Sequence, residues 1–326
     1  MKYTTVKDLS PARIVLGVGL YGSQYPPEEG EKVIHYYVEN GGNILDTGHV
    51  YANWIPGFGR SASEKFLGKF FKENPGIRDK VILCTKGAHY DFADPERAPR
   101  VKPECIEHDM EGSFRNMGVD FIDIYWLHRD DANYPVAPIM DTLFKAQDAG
   151  KIKYFGASNW STARIAEANA YAKSCGREGF FGNQIQYSFV HTMDVSDKTT
   201  LFFNPATDAQ FMLDSKMDLF AYTSQAKGYV TKYLAGAELK GNMVKNYDCP
   251  TNRERAQRAD KVAKEIGGVS AEEIALAYMH TLPYNTLTIV GPRVLEQIQA
   301  SMKAGDVELT PEQISYLATD ETPLVR

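Results

Sequence analysis

The stretch NILDTGHVYANWIPGFGRSASEKFLGKFFKENPGIRDKVILCTK, residues 43–86, decides the fold, because it combines two apolar runs with an amphipathic run between them. The apolar runs are Asn43–Thr47 and Lys80–Lys86, and the amphipathic run extends from Ala62 to Lys72. Short apolar runs of this length are typical of buried strands, and the spacing between them is typical of a helix. The stretch therefore predicts a βαβ unit with two parallel strands and a right-handed crossover.

The same alternation continues on both sides of this unit. Further strands are predicted at residues 14–20, 121–128, 153–159, 183–188, 218–222 and 286–291. Helices are predicted at residues 31–40, 103–117, 137–149, 162–173, 206–214, 252–266, 271–282, 294–304 and 311–317, and the charged run 252–266 is interpreted as a solvated face. Eight strands alternating with helices predict an α/β fold, a (β/α)8 TIM barrel, with an open doubly wound sheet as the alternative.

Composition is that of an ordinary globular protein, with 43% hydrophobic and 24% charged residues among 326. A chain of this length could hold two domains, but it contains no linker, so residues 1–326 are predicted to form a single barrel domain. It has no apolar run long enough to span a bilayer, and its first residues lack the apolar core of a secretory signal. We therefore expect a cytoplasmic protein without a membrane partner.

Charge and cysteine content exclude further classes of function. The net charge of −6 is unfavourable for general nucleic-acid binding, which needs a basic face. The four cysteines form no CxxC pair and have no metal-ligand spacing, so we expect reduced structural thiols and no metal site. Nothing in the sequence indicates an oligomeric state.

Four chemically capable side chains stand at the predicted ends of successive strands. Asp46 ends the second strand, Lys86 the third and His128 the fourth, and Tyr51 lies in the loop after Asp46. The carboxyl ends of barrel strands form one rim, where active sites lie. A lysine beside an aspartate at that rim is costly to bury without a purpose. The four residues are therefore predicted to form one catalytic site.

This set of groups suits carbonyl chemistry. A phenol has a pKa near 10, and a nearby ammonium favours the phenolate, which makes the phenol a usable proton donor. Asp46 would keep Lys86 charged and in place, and His128 would orient a carbonyl oxygen. No side chain supplies hydride, so a nicotinamide cofactor is implied.

The sequence resembles the aldo-keto reductases over most of its length. Eight segments carry the resemblance, in order: Asp46-Thr47-Gly48-His49-Val50-Tyr51, the run Gly59–Gly68, Cys84-Thr85-Lys86, Tyr125-Trp126-Leu127-His128, Gly156-Ala157-Ser158-Asn159-Trp160, Gln184, the run Ala221–Gly228, and Val290-Gly291-Pro292-Arg293 with Glu296-Gln297. The resemblance implies the barrel fold, carbonyl reduction, and Tyr51 as proton donor. The sequence departs from the family pattern at Gly48, which stands in place of Ala, and in the polar run Thr223–Ala226. No GxGxxG run leads directly into a predicted helix, which disfavours a Rossmann fold.

Cofactor contacts also follow from the resemblance. It implies that Ser158, Asn159 and Gln184 hold the nicotinamide carboxamide and that Tyr222 stacks on the ring. Further contacts are implied at Thr223, Gln225, Lys227, Gly291, Arg293 and Gln297. Arg293 supplies a charge for the adenosine phosphate, which favours NADPH, whereas Gln297 brings no second charge and leaves NADH open.

The substrate side is expected in the loops. Trp54, His89 and Arg129 are placed at the mouth, and an aromatic wall with polar groups suits a small carbonyl compound such as a sugar or keto-sugar. Two alternatives stay open. Lys86 could form a Schiff base in a lyase, or the chain could be a redox-sensing regulatory subunit of the same fold.

Overall fold

A computed structural model of the chain describes residues 1–195 and 197–318. Eight parallel strands close into a barrel in chain order, with helices in the connections between them. The predicted (β/α)8 TIM barrel is confirmed, and the open doubly wound sheet is excluded.

The strand bounds lie within or next to the predicted runs. They are β1 (Ile14–Gly17), β2 (Ile44–Asp46), β3 (Ile82–Gly87), β4 (Ile122–Leu127), β5 (Ile152–Ser158), β6 (Gly182–Gln186), β7 (Asp218–Tyr222) and β8 (Thr286–Val290). Most of their residues are buried, as expected for strands covered on both faces.

Twelve helices lie in the described residues. They are α1 (Pro27–Glu39), α2 (Ala62–Glu73), α3 (Pro103–Met117), α4 (Val136–Asp148), α5 (Thr162–Ser174), α6 (Pro205–Ser215), α7 (Tyr229–Leu234), α8 (Asn242–Tyr247), α9 (Pro250–Ile266), α10 (Ala271–Met279), α11 (Leu295–Ala304) and α12 (Pro311–Leu317). Two short 3₁₀ helices lie at Arg78–Lys80 and Ala226–Gly228.

Three features of the helices differ from the predictions. α1 begins at Pro27 rather than at residue 31, because proline suits the first helical turn and Glu28 and Glu29 favour its positive end. α7 and α8 have six residues each, too short to show a helical period, and were not predicted. α9 is not simply a solvated face, since Arg255 is 1% exposed and its guanidinium lies 4.4 Å from the centroid of the Phe189 ring.

Strand register fixes which side chains share a level of the barrel. Asp46 of β2 is paired with Cys84 of β3, and Lys86 of β3 with Trp126 of β4. Cys84 and Trp126 are buried, as expected for barrel filling. A Cβ on Gly156 would lie 2.3 Å from Cζ3 of Trp126, so the indole fits only because β5 carries glycine there.

Contacts divide the chain into two compact units. The first unit comprises residues 15–184 and 291–295, and the second comprises residues 1–14, 185–290 and those from 296 onward. β2 to β5 and α1 to α5 belong to the first unit, and β7, β8 and α6 to α10 belong to the second. That the whole chain acts as one domain stays a prediction. Throughout residues 1–195 and 197–318, each helix is too short or too polar to cross a bilayer.

Candidate active site

The first unit brings the four predicted catalytic residues together. Lys86 Nζ donates to Asp46 Oδ2 at 2.5 Å and to the carbonyl oxygen of Thr47 at 2.7 Å. The same nitrogen lies 4.7 Å from the centroid of the Tyr51 ring. The ring of His128 meets that of Tyr51 edge-on, with centroids 5.5 Å apart. Three successive strand ends and one loop therefore converge on the Tyr51 phenol.

Lys86 is held as an ammonium in spite of its burial. It is 1% exposed and Asp46 is 3% exposed, so both charges have left water. Burial alone would lower the pKa of Lys86, but the charges of Asp46 and Tyr51 outweigh burial and raise that pKa above its usual value. The ammonium is therefore retained across the neutral and mildly alkaline range.

His128 is held neutral by the same enclosure. Burial lowers the pKa of His128 well below its usual value, and His89, Arg129 and Lys86 lower it further. Within the described part of the chain, Nδ1 of His128 is buried without a hydrogen-bond partner. A neutral imidazole donates from one ring nitrogen and accepts at the other. His128 can therefore offer one hydrogen bond to a carbonyl oxygen without adding charge.

Two glycines make room for the Tyr51 ring. A Cβ on Gly19 would lie 3.0 Å from Cδ2 of Tyr51, and a Cβ on Gly48 would lie 3.3 Å from Cε2. Both distances are tighter than ordinary contacts. Glycine at position 48 therefore lets this ring sit closer to the chain than alanine would.

Three buried polar side chains come from β5 and β6, with Ser158 and Asn159 at the end of β5 and Gln184 in the middle of β6. Ser158, Asn159 and Gln184 are 1%, 4% and 1% exposed. Asn159 has φ of 58°, an unfavourable conformation for a residue with a side chain, and such strain is typical of functional sites. Its Nδ2 donates to the His128 carbonyl oxygen at 3.2 Å, while Gln184 Nε2 donates to Asp46 Oδ1 at 2.9 Å. Gln184 thus extends the hydrogen-bonded network of Asp46 and Lys86, which sequence reasoning did not anticipate.

An aromatic wall adjoins Tyr51 and His128. Trp54 packs edge-on against Tyr51 with centroids 6.1 Å apart and lies 5.4 Å from Phe92. His89 stacks on Phe92 at 5.3 Å and meets His128 at 4.7 Å. The wall formed by Trp54, Phe92 and His89 comes from the loops after β2 and β3. Trp54 remains 43% exposed.

Polar groups after β4 are engaged inside the protein. Arg129 Nη1 donates to the carbonyl oxygen of His128 at 2.8 Å. Asp130 accepts from Arg164 Nε at 3.0 Å, an ion pair in which both side chains are nearly buried. These groups stabilise the loop after β4, which leaves the aromatic wall as the main surface beside Tyr51.

The second unit carries five of the residues implied in cofactor binding. Tyr222 ends β7 and is half-buried, and its carbonyl oxygen accepts from the Tyr187 amide at 3.2 Å. Thr223 and Lys227 have positive φ, so a tight turn follows the strand. Gln225 Nε2 donates to Ser301 Oγ at 3.3 Å, and Gln297 lies on α11, where its carbonyl oxygen accepts from the same hydroxyl.

Gly291 and Arg293 belong to the first unit. Both are exposed, and the guanidinium of Arg293 lies 5.7 Å from the centroid of the Tyr25 ring. Tyr21 donates its hydroxyl to the carbonyl oxygen of Pro292 at 2.9 Å, which fixes the segment between them. Arg293 is thus presented to solvent on a supported backbone.

Sequence reasoning did not single out two residues, Phe92 and Glu64, that the structure places near the site. Phe92 belongs to the aromatic wall, and nothing in the local sequence distinguishes it from a packing residue. Glu64 is fully buried and hydrogen-bonded to His49. Glu64 stands in the Gly59–Gly68 run, so an acidic residue within an otherwise apolar helix face was the available signal.

Comparison with known proteins gives a consistent picture. The model of the Aldo/keto reductase family matches residues 13–319. An uncharacterized oxidoreductase, YrpG of Bacillus subtilis, is 27% identical over 97% of this chain and 95% of its own length. An aryl-alcohol dehydrogenase [NADP(+)] of Phanerodontia chrysosporium is 26% identical over 93% of this chain and 81% of its own length. The aldo-keto reductase YhdN of Bacillus subtilis is 26% identical over 92% of this chain and 87% of its own length.

Proposed function

The chain belongs to the aldo/keto reductase family, and from that premise we propose that it reduces a carbonyl compound with NADPH, with Tyr51 as the proton donor. Family membership and the relatives support an oxidoreductase. The residue roles, the choice of cofactor and the substrate class belong to the proposal.

The observation that carries the proposal is the position of Lys86. Its ammonium lies against the Tyr51 ring and is tied to Asp46. When a phenol gives up its proton, negative charge develops on its oxygen, and a fixed ammonium stabilises that charge in a water-poor site. Tyr51 therefore delivers a proton to a carbonyl oxygen, while neutral His128 donates a hydrogen bond that orients the same oxygen.

The residues present fit a nicotinamide cofactor. Ser158, Asn159 and Gln184 supply the hydroxyl and amide groups that a carboxamide needs, and all three are buried. Bound NADPH would supply the hydride. Tyr222 would stack on the ring, with Thr223, Gln225, Lys227, Gly291 and Gln297 near the remainder. Arg293 is proposed to bind the adenosine phosphate, which favours NADPH over NADH.

The substrate proposed for this site is an aromatic aldehyde, whose reduction gives the corresponding alcohol. The wall of Trp54, Phe92 and His89 offers ring faces and edges next to Tyr51 and His128. Arg129 and Asp130 are engaged with protein groups, which weakens the interpretation as a sugar site. The name of the aryl-alcohol dehydrogenase relative supports the same class.

The alternatives lack comparable support. A Schiff-base lysine must be deprotonated to attack a carbonyl, whereas the pKa of Lys86 is raised. A regulatory subunit would not require the network of Asp46, Lys86 and Gln184 around a phenol. Borohydride capture of substrate on Lys86 would favour the lyase, and cofactor-dependent turnover excludes both alternatives.

The proposal is tested by Tyr51→Phe, assayed through NADPH oxidation at 340 nm over a panel of aldehydes, ketones and sugars. We expect kcat to fall about 10²-fold or more, because a positioned general acid contributes on that scale. NADPH affinity should stay at the parent value, since the phenol is not a proposed cofactor ligand. Turnover within a few-fold of the parent would exclude Tyr51 as the proton donor.

A further inference from the structure

Glu64 is a buried carboxylate outside the proposed catalytic set. It lies in the first turn of α2 and is completely buried. Its three hydrogen bonds come from Thr85 Oγ1 at 2.6 Å, Asn116 Nδ2 at 2.9 Å and His49 Nδ1 at 3.1 Å. Among the described residues, no lysine or arginine forms an ion pair with it, so a hydroxyl, an amide and an imidazole stabilise it instead.

Two of these donors flank the candidate site. Thr85 immediately precedes Lys86 in β3, and His49 precedes Tyr51 by two residues. Backbone contacts join the same places, because the His49 amide donates to the Lys86 carbonyl oxygen at 2.9 Å and the Tyr51 amide donates to the Gly48 carbonyl oxygen at 3.0 Å. One carboxylate thus bonds to both the lysine strand and the tyrosine loop.

The third donor connects this junction to the helical layer. Asn116 lies on α3, and a Cβ on Gly112 of the same helix would lie 2.5 Å from Cε1 of His49. The His49 ring therefore lies directly on the α3 backbone, held on one side by Glu64. The hydroxyl group of Ser61 also donates a hydrogen bond to the His49 carbonyl oxygen at 2.6 Å.

Burying a carboxylate without a lysine or arginine partner is unfavourable unless its acceptors are satisfied. Packing alone would be served by an apolar residue of similar volume, so the carboxylate indicates a requirement for directed hydrogen bonds. Three donors arriving from β3, α3 and the loop after β2 define one geometry for all three segments.

We propose that Glu64 is a positioning residue, which sets the placement of the Tyr51 phenol relative to the Lys86 ammonium by holding His49 and Thr85 at the same carboxylate. The inference rests on the proposed function, since it assigns Glu64 a purpose in the transfer of a proton from Tyr51. Glu64 itself does not contact the reacting atoms.

The main test compares Glu64→Gln with the parent. A glutamine keeps one acceptor oxygen but turns an NH₂ group toward at least one of the three donors, so the junction loosens while the volume stays constant. A misplacement of about 1 Å at a reacting group can lower a rate by about 10²-fold. We expect kcat for benzaldehyde reduction to fall by roughly 10-fold or more, with KM for NADPH and benzaldehyde within about 2-fold of the parent.

Two further variants remove one hydrogen bond each without introducing a buried polar atom. Thr85→Val removes the bond on the Lys86 side, and His49→Phe removes the bond on the Tyr51 side. Each should lower kcat by a few-fold while leaving KM unchanged. These variants keep the inference testable if Glu64→Gln folds poorly.

The matched control is Asp123→Asn. Asp123 is also a largely buried carboxylate, and its Oδ2 accepts from Arg78 Nη2 and from the Leu83 amide, both at 2.9 Å. It lies near the amino ends of β3 and β4, away from Tyr51. The variant should lower the melting temperature to a similar extent as Glu64→Gln but leave kcat at the parent value.

A readout independent of turnover is hydrogen–deuterium exchange of residues 47–53 without cofactor. Exchange there should be about 10-fold faster in Glu64→Gln and unchanged in Asp123→Asn. Unchanged exchange, or faster exchange with parent-level kcat, would overturn the positioning role. Equal turnover by the parent and Tyr51→Phe would instead refute the proposed function, and exchange would still decide whether Glu64 holds the loop.

Discussion

The chemistry of Lys86 is set by its neighbours. Its ammonium donates to a carboxylate and to a backbone carbonyl, and both Lys86 and Asp46 are almost fully buried. Burial lowers the pKa of Lys86, but Asp46 and Tyr51 outweigh burial, so the raised pKa reflects the contact with Asp46 that also fixes the position of the ammonium. A lysine held in this way acts as a fixed positive charge and is unsuited to nucleophilic attack.

Lys86→Arg keeps the positive charge but should lower kcat by about 10²-fold. A planar guanidinium is larger than an ammonium and cannot direct its donors to Asp46 Oδ2 and the Thr47 carbonyl from the same compact position. Turnover at 340 nm measures the effect, and Lys65→Arg on the exposed face of α2 serves as the control. Parent-level turnover in Lys86→Arg would show that charge alone, without placement, is sufficient.

The proximity of the candidate catalytic residues could be predicted from the sequence, whereas the contacts around them could not. Asp46, Lys86 and His128 could be predicted together because the strand alternation places their positions at one end of a barrel. The bond from Gln184 to Asp46 spans 138 residues, so no local pattern predicts it. Glu64 likewise acquires its partners from three separate segments, and only the folded chain brings them together.

At the scale of elements, the loops after β2 and β3 are joined at two places. Trp54 packs on Phe92, and Arg60 forms an ion pair with Asp91. The pair is partly exposed, so it contributes little to stability. It does tie the outer parts of the two loops together, which keeps the aromatic wall beside Tyr51.

Trp54→Ala should raise KM for the best aromatic substrate by roughly 10-fold while NADPH binding stays unchanged. The indole offers the largest ring surface of the wall, and an aromatic contact of this kind contributes about 0.5–1.5 kcal/mol beyond area burial. Steady-state kinetics over the aldehyde panel measure it. Phe58→Ala, a change to another exposed ring in the same loop, should leave KM unaltered. An unchanged KM in Trp54→Ala would assign the indole to loop packing.

Strand β7 begins with Asp218, whose burial disfavours the ionised form of its carboxyl group. Burial raises the pKa of Asp218 to about 6, although a hydrogen bond from Asn285 Nδ2 at 2.7 Å opposes the rise. Because this native pKa exceeds the value in the unfolded chain, the folded state favours the protonated form of Asp218. Its contribution to the free energy of unfolding is therefore fully present only at pH values below the pKa of the unfolded chain. That contribution is lost as pH rises through about 6.

Asp218→Asn should therefore be more stable than the parent at pH 8, by roughly 1–2 kcal/mol, and the difference should shrink toward pH 4.5. Thermal unfolding at both pH values measures this, with Asp120→Asn at an exposed position as the control. A difference that grows on acidification would contradict the assigned direction of the pKa shift.

For the whole molecule, the fold class could be predicted because alternation of strands and helices is a property of the entire sequence. Closure of the barrel was less certain, since an open sheet shows the same alternation. α7 and α8 lay beyond prediction, because a six-residue helix contains less than two turns. The exact ends of helices differ from the predicted ones where residues at the helix terminus decide them, as at Pro27, where α1 begins.

Cofactor binding should be visible as a change in global stability. A ligand at a hundred times its Kd stabilises the native state by about 2.7 kcal/mol. For a chain of this length that corresponds to a rise in melting temperature of about 4 °C. NADPH should give the larger rise at equal concentration, and Arg293→Ala should reduce the rise with NADPH more than with NADH. If Arg293→Ala reduces the rise in melting temperature equally for both cofactors, or if the parent prefers NADH, Arg293 is excluded as the phosphate ligand. Arg115→Ala on α3 is the control.

The contact of Trp126 with Gly156 limits how this barrel can diverge. No side chain can be added at position 156 while the indole occupies its place, since the first added carbon would meet the ring. The order of mutational steps is therefore constrained: position 126 must become smaller before position 156 can become larger. Descendants that retain the tryptophan should retain the glycine, and lineages that lose it still face the Gly182 carbonyl oxygen, which would lie 3.0 Å from a Cβ at position 156.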